Sequence, residues 1–502
     1  MKLSSIKKFP FHTFFLPAFF ILHINNEYFS LLPAPTIVEF FLYYVLLAAV
    51  LLVTGRLLYR SITKAGVWAT TLLIPFFFFG AAHDLVKTTP FIRSFSSYTI
   101  VLPVLLISLL LFSWYCKKKA GNFDKAHKYF TILFTILVSM ELVILAQKTI
   151  TNNQENNLAS HNEFIKPVAN CHPCEKPDIF FIVFDEYASS RSLQHYFGFD
   201  NSLLDSSFKK NNYYIATNSK SNYNITPLSI GSTFNLQYFN RPLENETVNT
   251  LTLLQSCQSF KESRLPDLLG QSGYAIHNFG FNHFTNYPVS TFRYFENFER
   301  NALYHETLFG RITRDILWNI WRLSPALRKK RAQLDRQEQM QFIERNKKNW
   351  QLVLQELKTQ NEQPKFVFSH VMMPHAPFYL DRKGNRTNDF SSIYNKNNNP
   401  GPYLEQLMYT NTWIDSILNA TDRNFSRPRV VIVEGDHGYR DTPFVPGQRE
   451  KHFMNLNTYY FSDKDYSMLY DSISPVNTFR VVMNKYFHTK LPLLKDSTIL
   501  LQ

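Results

Sequence analysis

Apolar runs crowd the first 150 residues, at 9–24, 37–58, 66–82, 98–115 and 129–147, and nothing comparable follows them. A helix rises about 1.5 Å per residue, so roughly 20 apolar residues cross a hydrocarbon core about 30 Å thick. The runs therefore predict a five-helix transmembrane bundle over residues 1–150. The first run is short and carries His12 and Pro17. A signal peptide is its rival reading, but no small-x-small cleavage pattern follows, so it is read as a helix.

The net charge of +14 could suggest nucleic acid, but its distribution argues otherwise. Lys7 and Lys8, then Arg56, Arg60 and Lys64, then Lys117, Lys118, Lys119, Lys125 and Lys128 all flank apolar runs. That is the pattern of loops held at an anionic membrane surface. The loop at 25–36 has no Lys or Arg, and the next loop on that side has only Lys87 and Arg93. Basic loops stay in the cytoplasm. With five spans, everything after residue 150 then emerges outside it, in a multi-pass membrane protein. Glu141, inside the fifth run, faces a cavity or partner helix, or tilts toward the interface.

Residues 151–176, rich in Asn, Glu, Lys and Pro, read as a linker. Cys171 and Cys174 stand in Cys-His-Pro-Cys. A zinc site would need further ligands in recognisable spacing, so a local disulfide, or a bridge to Cys257, is the expectation in an oxidising compartment.

The rest, 177–502, alternates strands with helical patterns. Residues 177–184 are a continuous apolar run of strand length; 365–369 and 429–434 read the same way, and 338–359 is a long charged helix. This predicts an α/β domain with a mostly parallel central sheet, whose ligands bind beyond the carboxyl ends of the strands. The residues there are polar: Asp185 and Glu186, then Ser369, His370 and His375, then Glu434, Asp436 and His437. Carboxylates and imidazoles converging from separate strand ends suit a divalent metal.

Four segments carry a family resemblance: Phe184-Asp-Glu-Tyr-Ala188, Ser221-Asn-Tyr-Asn-Ile-Thr-Pro-Leu-Ser229, Phe366-Val-Phe-Ser-His-Val-Met-Met-Pro-His-Ala-Pro-Phe378 and Val430-Val-Ile-Val-Glu-Gly-Asp-His-Gly438. The chain resembles the sulfatase-like branch of the alkaline phosphatase superfamily, and more closely the membrane-anchored phosphoethanolamine transferases and lipoteichoic acid synthases. The resemblance implies metal ligands at Asp185, Thr226, Asp436 and His437, with the Thr226 hydroxyl as nucleophile. It also implies that His375 contacts the transferred group and that His452 is the second active-site histidine. Glu186 falls outside the matched ligands, and His370 is either a hydrogen-bonded strand-end residue or part of the site. The implied cofactor is a divalent ion, manganese or zinc, with magnesium compatible, and one tightly held ion is the expectation, with room for a second near His375 and His452.

The implied reaction moves a phosphate-linked head group, phosphoethanolamine or phosphoglycerol, from a phospholipid to an envelope glycan or lipid acceptor through a covalent threonine intermediate. The implied location is a bacterial inner membrane, with no nucleic acid partner. The near alternative is a membrane-anchored sulfatase-like phosphodiesterase or sulfuric ester hydrolase; a non-catalytic envelope-assembly protein is a further one. Sulfatases in this branch carry Cys-x-Pro-x-Arg or Ser-x-Pro-x-Arg, and neither occurs in 221–233. Pro227 is expected to open a helix whose first amides face an anionic substrate. Tyr187, Tyr223, Phe378, Tyr379, Arg382, Tyr439 and Arg440 are candidate pocket walls by adjacency.

Overall fold

The computed structural model describes residues 8–158, 171, 174–239, 244–291, 296–388, 399–421, 426–441 and 445–502. The chain divides into two compact units, one of Met1–Ser160 with Asn297–Arg331 and one of His161–Glu296 with Ala332–Gln502. The expected linker at 151–176 lies partly outside the described residues.

The first unit holds α1 (His12–Glu27), α2 (Ala34–Tyr59), α3 (Ile62–Thr88), α4 (Tyr98–Lys118) and α5 (Asp124–Leu158). Among the described residues, four helices, α2 to α5, are long and apolar enough to cross a membrane, which corrects the expected five. With 16 residues, α1 rises only about 24 Å, because it starts late at His12 and runs out into Asn25, Asn26 and Glu27. It is nonetheless built into the bundle: Leu16, Phe20, Ile21 and Ile24 are buried, and the Phe20 ring lies 4.7 Å from Phe77. Its polar residues are paired as well. His12 Nδ1 is 2.7 Å from Thr70 Oγ1, and Glu141 of α5 accepts from Asn26 Nδ2 at 2.7 Å while its other oxygen lies 2.9 Å from His23 Nδ1. Glu141 thus faces a partner helix, which decides between the two readings of it. The basic loops meet at one end of this bundle, where Lys64 Nζ donates to the Lys119 carbonyl at 2.8 Å.

The second unit is organised by a six-stranded sheet of β1 (Asp178–Phe184), β2 (Tyr214–Ile215), β3 (Ala275–Phe279), β4 (Lys365–Val371), β5 (Arg429–Gly435) and β6 (Asn457–Phe461), in the order β2-β6-β5-β1-β4-β3. The pairings of β1 with β4, β1 with β5 and β3 with β4 are parallel, whereas β6 runs antiparallel to both β5 and β2. The sheet is therefore mixed, not simply the mostly parallel one expected. Between β5 and β6 the described residues of 436–456 hold the Arg449–His452 turn and no crossover helix of the kind a parallel neighbour requires, and β6 returns antiparallel.

β1, β4 and β5 are buried along their whole length. Successive β1 side chains serve opposite cores, Phe180, Ile182 and Phe184 on one face and Ile179, Phe181 and Val183 on the other. Helix Gly401–Thr421 fills the first core with Leu407, Ile414 and Leu418, and helix Pro475–Phe487 fills the second with Val481, Val482 and Met483. Each such side chain contributes about 1.5–3 kcal/mol of burial. This two-sided cover explains why the strands read as unbroken apolar runs.

Candidate metal centre

β1 is central, flanked by β4 and β5, and this neighbourhood builds the site. Val183 lies opposite His370, and Phe184 lies opposite Gly435, so Asp185 and Asp436 leave their strands at the same level. The His375 backbone amide donates to the Asp185 carbonyl at 3.1 Å, drawing the β4 loop to the same place.

Asp185, Asp436 and His437 are buried, and a potential ligand atom from each lies within 4.8 Å of the others. His437 Nδ1 is 2.8 Å from the Gly438 carbonyl, which fixes the proton there and leaves Nε2 as a lone pair, the tautomer that a metal ligand needs. Nε2 is 3.4 Å from Asp436 Oδ2 and 3.8 Å from Asp185 Oδ1, and it makes no hydrogen bond among the described residues. Burial, and next the Arg440 charge, hold this imidazole well below its ordinary pKa, hence neutral. Asp436 Oδ1 accepts from the amides of Glu186 and His437, both at 2.9 Å. Burial and then the Asp185 charge push its carboxyl up to about 7. Two buried acids abutting a neutral ring with an uncommitted lone pair fit a divalent cation, which would offset the charge they cannot otherwise share.

His370 sits inside β4 with Nε2 3.3 Å from Asp185 Oδ2, and burial pushes its ring down to about 4. Thr226 is the first residue of α6 (Thr226–Asn235), with Pro227 second instead of first as expected. The Thr226 side chain lies beside the Asp436 carboxylate and is among the influences that keep that acid's pKa from rising further. One turn on, Ser229 Oγ donates to the Asp436 carbonyl at 2.5 Å, pinning the helix start against the β5 end.

His375 and His452 lie beside a charged rim. His375 Nε2 is 3.1 Å from Arg440 Nη2 and 3.7 Å from Glu186 Oε2, while Nδ1 faces the Ala376 carbonyl. His452 Nε2 is 3.9 Å from Asp441 Oδ2, and burial pushes its ring down to about 4. Sequence reasoning left out Glu186, which ties this rim together: it has φ +60°, its Oε1 accepts from the Arg440 amide at 2.6 Å, and its carbonyl accepts from Tyr403 Oη at 2.9 Å. A left-handed backbone at a non-glycine residue costs about 1–3 kcal/mol and persists where surrounding bonds over-determine it. Asp441 and Lys451, joined at 2.9 Å, were also missed. No motif marked them; only their nearness in sequence to His437 and His452 was available. Of the candidate walls, Tyr187, Tyr223 and Tyr439 are buried among core side chains, and Arg382 pairs with Glu405. Cys171 and Cys174 form a disulfide, leaving Cys257 outside the bridge.

Residues 177–472, more than half of the chain, match the family described as Sulfatase. No curated protein matches the chain. Among solved structures, the integral membrane lipooligosaccharide phosphoethanolamine transferase A of Neisseria meningitidis is similar at 13% identity over 97% of this chain and 95% of that one, with a TM-score of 0.38. The C-terminal periplasmic domain of phosphoethanolamine transferase EptC from Campylobacter jejuni is similar at 13% identity over 63% and 91%, with a TM-score of 0.36. The corresponding domain from Escherichia coli in complex with zinc is similar at 10% identity over 63% and 85%, with a TM-score of 0.37.

Proposed function

The chain belongs to the sulfatase family and is a sulfatase-like phosphotransferase or hydrolase; from that premise we propose that it transfers a phosphate-linked head group, phosphoethanolamine or phosphoglycerol, from a phospholipid to an envelope acceptor through Thr226. The observation that carries this reading is a threonine hydroxyl at a helix start, against Asp436 in a buried Asp, Asp, His cluster. The absence of Cys-x-Pro-x-Arg or Ser-x-Pro-x-Arg from 221–233 favours phosphoryl over sulfuryl chemistry.

A divalent ion held by Asp185, Asp436 and His437 beside Thr226 would lower the pKa of the hydroxyl and offset charge on the phosphoryl oxygens; manganese and zinc both suit these donors. In the first half-reaction, Thr226 Oγ1 bonds to phosphorus as the bond to the diacylglycerol oxygen breaks. The threonine proton passes to the departing oxygen. In the second half, an acceptor hydroxyl attacks the phosphothreonine and its proton returns to Thr226. His375 and His452, beside the rim, carry these protons or hydrogen-bond the phosphoryl oxygens in this reading. Arg440, held by Glu186 and His375, supplies the positive charge for the phosphoryl oxygens, and its Nε is buried without a hydrogen bond among the described residues.

The catalytic unit lies outside the cytoplasm in this reading. The basic loops at one end of the bundle, and α1 packed along it as a short fifth helix, support that topology. So does the Cys171–Cys174 disulfide, a bond of oxidising compartments. The test is to incubate the purified full-length protein with phosphatidylethanolamine or phosphatidylglycerol and examine the Thr226 peptide by mass spectrometry. A head-group phosphate on Thr226 and released diacylglycerol are expected. Full activity in Thr226→Ala would refute the nucleophile, and product formed only with water as acceptor would make the enzyme a phosphodiesterase.

A further inference from the structure

Residues 297–331 interrupt the sheet unit in sequence but belong to the helical unit. They comprise the rest of α7 (Glu296–Tyr304), α8 (Leu308–Asp315), the turn Leu317–Arg322 and the start of the next helix. We propose that this segment is an interfacial anchor, seated in the headgroup layer of an anionic phospholipid bilayer at the end of the bundle opposite its basic loops.

The attachments give its level. Arg311, buried, forms a two-pronged pair with Asp84 at 2.9 and 2.6 Å, and Arg300 forms another with Glu39 at 2.8 and 2.9 Å. Tyr44 Oη donates to the Leu303 carbonyl at 2.8 Å, and Tyr98 Oη donates to Asp315. The Gly80 amide donates to the Glu306 carbonyl at 3.0 Å, an approach only glycine permits, since a Cβ at Gly80 would stand 2.8 Å from that oxygen. Glu39 and Tyr44 lie in the first half of α2, Gly80 and Asp84 in the last turns of α3, and Tyr98 opens α4. Lys64 and Lys119 lie at the far ends of the same helices. The segment is therefore fixed where spans of this length leave hydrocarbon for headgroups.

The surface it leaves uncovered has the matching chemistry. Phe309, Trp318 and Leu323 are 57%, 50% and 76% exposed, and Leu317 and Ile320 are exposed beside them. A cluster of this kind is unfavourable in water but suits the boundary between headgroups and acyl chains, where Trp is enriched. The Arg322 guanidinium lies 4.7 Å from the Trp318 ring, and Arg328, Lys329, Lys330 and Arg331 follow, all exposed. Their charge selects an anionic lipid surface over a neutral one.

The test uses the full-length protein in lipid nanodiscs, with an environment-sensitive fluorophore on L323C, or on A326C as a second position, in a C116S/C257S background. Lipids brominated high on the acyl chain should quench this probe about threefold or more, and aqueous iodide should quench it little. R328Q/K329Q/K330Q should reduce the lipid quenching in discs containing phosphatidylglycerol and leave it unchanged in phosphatidylcholine discs. Strong iodide quenching with no effect of brominated lipid, at both positions, would overturn the proposal. Protection that appears only as protein concentration rises would overturn it too, in favour of a second copy of the chain as the occupant.

Discussion

Glu141 in the helical unit and Asp185 with Asp436 in the sheet unit are all carboxylates buried beside imidazoles, yet their surroundings differ. Each Glu141 oxygen has its own partner, His23 for one and Asn26 for the other. Asp185 and Asp436 face each other across His437, whose Nε2 has no hydrogen bond among the described residues. A carboxylate with both oxygens bonded to side chains of a neighbouring helix fixes the helices together. A surplus of buried negative charge around an uncommitted ring nitrogen calls for a cation. Acid–histidine proximity alone does not separate the two cases; the hydrogen-bond account does.

The sharpest way to break this contrast is to exchange the effects of the two regions. Thr226→Ala should lower head-group transfer by about 10³-fold or more while leaving the thermal midpoint unchanged, as measured by diacylglycerol release and calorimetry. His437→Ala should come next, weakening metal retention by at least about 10-fold, read as metal content after dialysis against a chelator. Glu141→Ala should do the reverse, costing about 1–2 kcal/mol of stability in detergent with the turnover per folded molecule unchanged. A loss of turnover there would erase the distinction between the two networks.

The smallest effect concerns His452, whose folded pKa of about 4 lies below the ordinary 6.5. Between those values the unfolded chain binds a proton that the folded one does not, so stability falls as pH drops from 6.5 toward 4. His452→Gln should flatten that part of the profile of melting temperature against pH; an unchanged slope would mean that another group sets it.

Much of the site was legible because its chemistry is carried by residue type next to strand ends. Asp185, Asp436 and His437 follow apolar runs whose two-sided burial makes them stand out, and Thr226 precedes a proline suited to a helix start. Glu186 was not legible, since its role rests on a φ of +60° and on bonds to Arg440 and Tyr403, more than 200 residues away. Nor was the contact of the His375 ring with Arg440 from a different loop legible. The count of spans fell from five to four because α1 ends in Asn25, Asn26 and Glu27, a polarity that an apolar tally over 9–24 does not include.

The sequence by itself determined where the long apolar runs stop, which runs become buried strands and which side chains carry metal-ligand chemistry. Those depend on hydrophobic run length and side-chain chemistry, which are local quantities. Only the tertiary structure decided that β1 lies between β4 and β5, that β6 runs antiparallel, and that 297–331 returns to the helical unit. Strand partners and docking surfaces are chosen by burial between segments far apart in the chain, and no window of sequence contains that competition.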